Sequence, residues 1–228
     1  MYTLHIGNKN YSSWSLRPWV LMRVLGIAFA ERQHQFPTGS AFELFRPFSP
    51  NGLVPALHDD GAVVWDSLAI VEYLAERHDG VWATDAVVRA WSRSASAEMH
   101  SGFAVLRQRC TMSVGLRITL NDVPPALQKD IGRVGELWNE GIARFGGPFL
   151  AGKAFTAVDA FYAPVVFRAQ TYGILADKGS AGYIAHMLAL PAMRDWYEAG
   201  LKETWREEDH EAEAKATGTW TADLRATA

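Results

Sequence analysis

The chain has 228 residues, 49% hydrophobic and 21% charged, with a net charge of −3 from 22 basic and 25 acidic side chains. Folding at that size buries about 70% of the unfolded chain's surface, and a single cysteine, Cys110, excludes an intramolecular disulfide or a cysteine-based zinc site. No apolar stretch reaches the roughly 20 residues that span a bilayer, the N-terminus lacks the pattern of an export signal, and the dispersed positive charges form no nucleic-acid footprint, so the expectation is a cytoplasmic protein with no membrane, nucleic-acid or metal partner.

The first 80 residues read as a small α/β unit. Tyr2 to Ile6 alternate as a strand, 15–25 carry apolar residues at helical spacing, and 27–33 form a second strand parallel to the first, a βαβ unit. After a loop with a short helix at 41–45, residues 54–65 make two short strands around an Asp59-Asp60-Gly61 turn. An amphipathic helix follows at 68–77. This order is thioredoxin-like.

A polar linker to Asp85 separates this unit from a second one that reads as helical, with no convincing strand. Its helices are expected at 87–110, 125–145, 157–172, 183–188 and 192–201, punctuated by Pro124-Pro125, Gly146-Gly147-Pro148 and Pro191. The tail after Trp205 is charged and reads as a partly disordered surface segment, with Trp220 as an anchor.

Three local features carry candidate chemistry. Pro18 has no N–H and belongs in the first turn of a helix, so that helix starts near Ser15 and places Ser12, Ser13 and Ser15 at its N-terminus. Free N–H groups and the helix dipole favour an anion there; the plainer role for Ser13 or Ser15 is an N-cap. Val54-Pro55 opens the hairpin, where a cis bond would leave the preceding backbone N–H and C=O to a ligand, although a trans bond is the ordinary case. Asp66-Ser67 opens the next helix, where Ser67 can serve an anion and Asp66 a cation, or Asp66 can cap the helix.

In this order these motifs resemble the soluble glutathione transferases. Ser12-Ser13-Trp14-Ser15-Leu16-Arg17 is similar to the serine motif of the zeta class, in which Cys often stands where this chain has Trp14. Val54-Pro55 is similar to the family's cis-proline, Asp66-Ser67 to its acidic-plus-serine pair, and Thr156-Ala157-Val158-Asp159 to its N-capping box. Segments 97–103 and 191–197 resemble a bacterial, zeta-like branch.

The resemblance implies a two-domain α+β glutathione transferase fold. A thioredoxin-like domain at 1–80 binds glutathione as co-substrate, an all-α domain at 86–210 supplies a second-substrate pocket, and 211–228 form the tail. Ser12 is the implied thiolate donor and Ser13 the close second, with Val54, Pro55, Asp66 and Ser67 holding glutathione. Tyr11 is a weaker rival and is expected to pack. Met99, Phe103 and Arg107 on the long helix are candidates for the second pocket, although core packing is the simpler role of the apolar pair. Arg17 is expected in a structural ion pair. A cytoplasmic homodimer acting on a small electrophile in detoxification follows from the same resemblance. The alternatives are a maleylacetoacetate isomerase, whose arginine has no secure counterpart here because Thr171 falls at that position and Arg168 one turn earlier, and a non-catalytic interaction module.

Overall fold

In the computed structural model, residues 1–225 are described. Strand β1 (Tyr2–Ile6) runs parallel to β2 (Phe29–Gln33) and antiparallel to β3 (Ala56–Asp59), which turns into β4 (Ala62–Trp65), giving the sheet order β2-β1-β3-β4. Leu4 and Ile6 of β1 are fully buried, as the alternation requires. Asp60 and Gly61 both have positive φ, the condition for a two-residue type I′ hairpin turn whose twist matches that of the flanking strands.

Helix α1 (Ser13–Val24) joins β1 to β2. It starts two residues earlier than the proline argument places it, so Pro18 lies in its second turn and the Trp14 carbonyl has no helical N–H donor there. The short helix α2 (Phe42–Phe45) follows β2, and α3 (Ser67–Ala75) follows β4.

Beyond the linker, the expected helix at 87–110 is two helices, α4 (Ala86–Ser101) and α5 (Ala104–Arg109). The break falls at Gly102 and at Phe103, whose φ of 55° is left-handed. An added Cβ at Gly102 would lie 2.7 Å from the Glu98 carbonyl oxygen, so the close approach requires glycine. The break turns α5 away from the axis of α4.

Strand β5 (Leu116–Leu120), missed in the sequence reading, precedes α6 (Pro125–Phe145), α7 (Ala157–Tyr172), α8 (Lys178–Leu188) and α9 (Pro191–Lys202). Helix α7 is buried along almost its whole length and packs on both α1 and α4, so it is the central post joining the two domains. Its N-terminus carries the expected capping box: the Thr156 N–H donates to Asp159 Oδ2 at 3.0 Å, while Asp159 Oδ1 accepts from the Leu150 N–H at 2.9 Å and the Tyr183 hydroxyl at 3.1 Å.

The segment after Trp205 is not a loose surface tail. It forms α10 (Glu208–Thr217) and β6 (Gly218–Asp223), which pairs antiparallel with β5. The Trp220 ring packs against the core, with the Lys215 ammonium 5.3 Å and the Arg225 guanidinium 5.5 Å from its centre. The strand signal is weak because β5 and β6 lie about a hundred residues apart and each finds its partner only in the fold. The last three residues of that expected tail, 226–228, lie outside the described residues. No helix among the described residues is long and apolar enough to cross a membrane.

Candidate functional site

A cleft of ≈ 560 Å³ opens between the domains at the N-terminus of α1. Ser12, Ser13, Val54, Pro55, Asp66 and Ser67 all line it, so the structure brings together residues from three separate stretches of the first domain.

Ser12 is the N-cap of α1 and only 4% exposed. Its hydroxyl lies 2.7 Å from the hydroxyl of Ser15, which also accepts the Gly7 N–H at 3.1 Å. The three groups form a short buried chain that ends at the cleft. In that bond the Ser12 O–H donates and Ser15 Oγ accepts. Ser15 Oγ thus accepts from Gly7 and from Ser12, and rotation of the Ser12 hydroxyl turns its O–H outward to an acceptor in the cleft. Ser13 stands beside it, and its hydroxyl has no hydrogen-bond partner among the described residues. The N–H groups of Trp14 and Ser15 likewise have no acceptor among the described residues, and these are the free donors of a helix first turn.

Across the cleft the Val54–Pro55 peptide bond is cis. Asp66 has φ 72° and ψ 134°, a conformation that costs a non-glycine residue of order 1–3 kcal/mol and concentrates at functional sites. It caps α3 by accepting the Leu68 N–H at 2.8 Å, and its other oxygen lies 3.5 Å from His100 Nε2 on α4. The Ser67 hydroxyl is 3.4 Å from Arg17 Nη1.

Tyr11 lines the cleft but its hydroxyl is already committed, donating to Glu211 Oε1 at 2.6 Å and accepting from Arg225 at 3.2 Å. Burial and the neighbouring Glu211 push its pKa well up. It packs, as expected.

Arg17 differs from the expectation: among the described residues it has no carboxylate partner within ion-pair distance. It is 1% exposed, its guanidinium carbon lies 4.0 Å from the centre of the Trp14 ring and 5.0 Å from that of Phe161, and its Nε is buried without a partner. Aromatic faces take the place of a counterion because a guanidinium is weakly hydrated and stacks well. Burial first, then Arg168 and Arg107, pull its pKa down to about 9.

Of the candidates on the expected long helix, Arg107 lines the cleft, whereas Met99 and Phe103 are core side chains outside its wall. The helix break is the reason, since α5 and not α4 carries the wall. Missed in the sequence were Gln108, Thr111, Met112, His210 and Glu213, all lining residues. Arg168 also lines it, from α7. No cluster of metal-ligating side chains occurs among the described residues.

The glutathione S-transferase N-terminal domain family matches residues 11–77, and the glutathione S-transferase C-terminal domain family matches residues 89–199. The chain belongs to the glutathione S-transferase family. A glutathione S-transferase-like protein, OpS6, from Beauveria bassiana is 28% identical over 173 residues, covering 71% of this chain and 76% of that protein. Among solved structures, a glutathione transferase homologue from Burkholderia gl BGR1 with bound glutathione superposes with a TM-score of 0.66 at 20% identity, covering 87% of this chain and 97% of that one. Glutathione transferase Omega 3C from Trametes versicolor gives 0.65 at 18% identity, covering 94% and 90%. At these identities the superpositions establish the fold.

Proposed function

We propose that this protein is a serine-type glutathione transferase of a zeta-like branch, which binds glutathione in the interdomain cleft and presents its thiolate to a small electrophile. The observation that carries the reading is the chain of hydroxyls running from the Gly7 N–H through Ser15 to Ser12 at the mouth of α1. A thiolate, not a thiol, is the nucleophile. The Ser12 O–H, held toward the α1 N-terminus by Ser15 Oγ, turns to donate to it, and the free first-turn N–H groups and helix dipole add to the same field. Ser13 supplies a second hydroxyl at the rim.

The backbone before the cis Pro55 pairs with the cysteinyl unit of glutathione. Ser67 receives the α-carboxylate of the γ-glutamyl end and Asp66 its ammonium. In the reaction the sulfur lone pair forms a C–S bond at the electrophilic carbon. The leaving group departs with its electron pair, or a π pair moves to the adjacent carbon and takes up a proton there, while the thiol proton passes to solvent.

Calorimetric titration with glutathione, followed by ultraviolet difference spectroscopy of the thiolate, tests this directly. Binding with a thiolate signal near neutral pH is expected. No binding at millimolar glutathione moves the assignment to a non-catalytic interaction module. Turnover that returns free thiol unchanged identifies a cis–trans isomerase in place of a conjugating enzyme.

A further inference from the structure

Helix α10 brings an imidazole to the cleft beside Ser12. His210 lines the cleft, and its side chain is 33% exposed. Its ring lies 4.9 Å from the Tyr11 ring and stacks at 5.7 Å on Phe36. Both neighbours lead to the proposed thiolate donor. Tyr11 precedes Ser12 in the chain, and a Cβ added at Gly7 would meet Phe36 Cζ at 2.6 Å and Ser12 Cβ at 3.1 Å, so the Phe36 ring edges up to Ser12.

Glu207 fixes the imidazole. Its side chain is almost wholly buried, and its carboxylate accepts the His210 N–H at 2.8 Å, the Asp209 N–H at 3.3 Å and the ring itself, at Nδ1, at 2.5 Å. Burial works against the charge, but these bonds hold the Glu207 carboxyl below its usual range. Capping α10 needs only the two backbone N–H groups, so the bond to the ring is additional. A carboxylate only accepts; in the neutral ring Nδ1 therefore carries the hydrogen and Nε2 keeps its lone pair. Nε2 makes no hydrogen bond among the described residues, and the exposure of the ring leaves it open to the cleft. Of the other titratable groups on this wall, the Tyr11 hydroxyl is committed to Glu211, Glu211 is paired with Arg225, and Glu213 lines the cleft one turn further along α10. His210 and Glu207 lie beyond residue 199, where the match to the C-terminal family domain ends.

We propose that His210 is the catalytic base that takes the thiol proton of bound glutathione, and that Glu207 is the positioning residue that aims it. The S–H bond breaks with its electron pair left on sulfur, the proton moves to Nε2, and the thiolate accepts the Ser12 hydroxyl. Glu207 stays ionised and faces the imidazolium across Nδ1. The proton passes on to solvent as the turnover closes. A carboxylate that orients an imidazole, which in turn activates a nucleophile, is an arrangement that recurs on unrelated folds.

The proposal rests on glutathione occupying the cleft, and the test follows the proton. Glutathione is titrated calorimetrically against the full chain at neutral pH in phosphate and in Tris, whose ionisation enthalpies differ, and thiolate absorbance is read on the same samples. The wild type is expected to form thiolate with no net release of a proton to the buffer, because His210 retains it. H210Q and H210F are expected to release one proton for each thiolate formed, and to lose about 100-fold in kcat/KM toward chlorodinitrobenzene, the lower end of what a positioned base supplies. H210F keeps an aromatic ring against Tyr11 and Phe36, so its proton release separates proton transfer from packing. E207Q keeps a capping oxygen and is expected to lower kcat/KM in the same direction by a smaller factor. A wild type that releases one proton per thiolate, or variants that release none, overturns the assignment of His210 alone. Failure to bind glutathione overturns the glutathione reading and this inference with it.

Discussion

Hydroxyl groups divide the work at the mouth of α1. Ser15 is fully buried and its Oγ accepts both the Gly7 N–H and the Ser12 O–H, so Ser12 is satisfied until a ligand takes its proton. Replacing Ser12 by Ala removes a hydrogen bond to a charged sulfur, worth roughly 1.5–3 kcal/mol. The expected result is a fall in kcat/KM of about 10- to 100-fold and a rise of one to two units in the thiol pKa of bound glutathione. S15A is expected to cost less, because only the support of Ser12 is lost, and S13A least. Thiolate absorbance against pH reads all three, and full activity in S12A with loss in S13A would exchange the two roles. A second residue with a measurable signature is Asp159. Burial raises its carboxyl from 3.8 to about 6 against the pull of its backbone hydrogen bonds from Leu150 and Thr156. The folded chain therefore holds the proton more tightly than the unfolded one between pH 3.8 and about 6, and this group's contribution to stability declines as pH rises through that window. D159N lacks the titration, so its melting temperature should gain on the wild type from pH 4 to pH 6; a constant gap would rule out burial as the dominant cause.

At the scale of elements, α10 and β6 act as a strap over the first domain. Arg225 has a fully buried side chain that pairs with Glu211 and, at 2.7 Å, with Asp223, and it touches the Tyr11 hydroxyl. His210 lies at 4.9 Å from the Tyr11 ring and 5.7 Å from Phe36. The strap is further tied where Glu203 accepts the Lys9 and Asn10 N–H groups and Trp196 donates to the Lys9 carbonyl at 2.8 Å. Removing one partner of a buried ion pair costs about 3–5 kcal/mol, so R225A should lower the melting temperature by roughly 6 to 20 °C in a chain of this size. Desolvation opposes it, but hydrogen bonds from Arg225 and Tyr11 hold the Glu211 carboxyl below its usual range, and Arg225 does the same for Asp223. Their contribution is present above the ordinary carboxylate pKa values and is lost as the pH falls through the depressed ones. Acid unfolding monitored by tryptophan fluorescence should therefore shift to higher pH in R225A.

For the whole molecule, the resemblance to glutathione transferases leads to the proposal of a twofold homodimer, the commonest closed assembly. Light scattering at micromolar concentration should give twice the 25.3 kDa chain mass; a mass near one chain ends that proposal. The proposed chemistry is built at the seam between domains, where α1 of one packs on α7 of the other, so the Ser12 and Ser67 side of the cleft and the facing wall with Arg107 and Arg168 come from different domains.

What could be read along the chain was local. The alternation of Tyr2 to Ile6, the Asp60-Gly61 turn, the capping box at Thr156 and Asp159, and the grouping of Ser12, Ser13 and Ser15 at the start of a helix each depend on residues within a few positions of one another. Local dihedral and hydrogen-bond preferences decide such features. The long helix expected at 87–110 failed because its periodicity continues across Gly102, while the break is required by how closely that backbone packs on Glu98. The strand pair β5 and β6, the meeting of Arg107 and Arg168 in the cleft wall, and the commitment of Tyr11 to Glu211 and Arg225 were decided only in three dimensions. Their partners are separated by 61 to more than 200 positions, and no local pattern encodes a contact whose existence depends on how two domains close on each other.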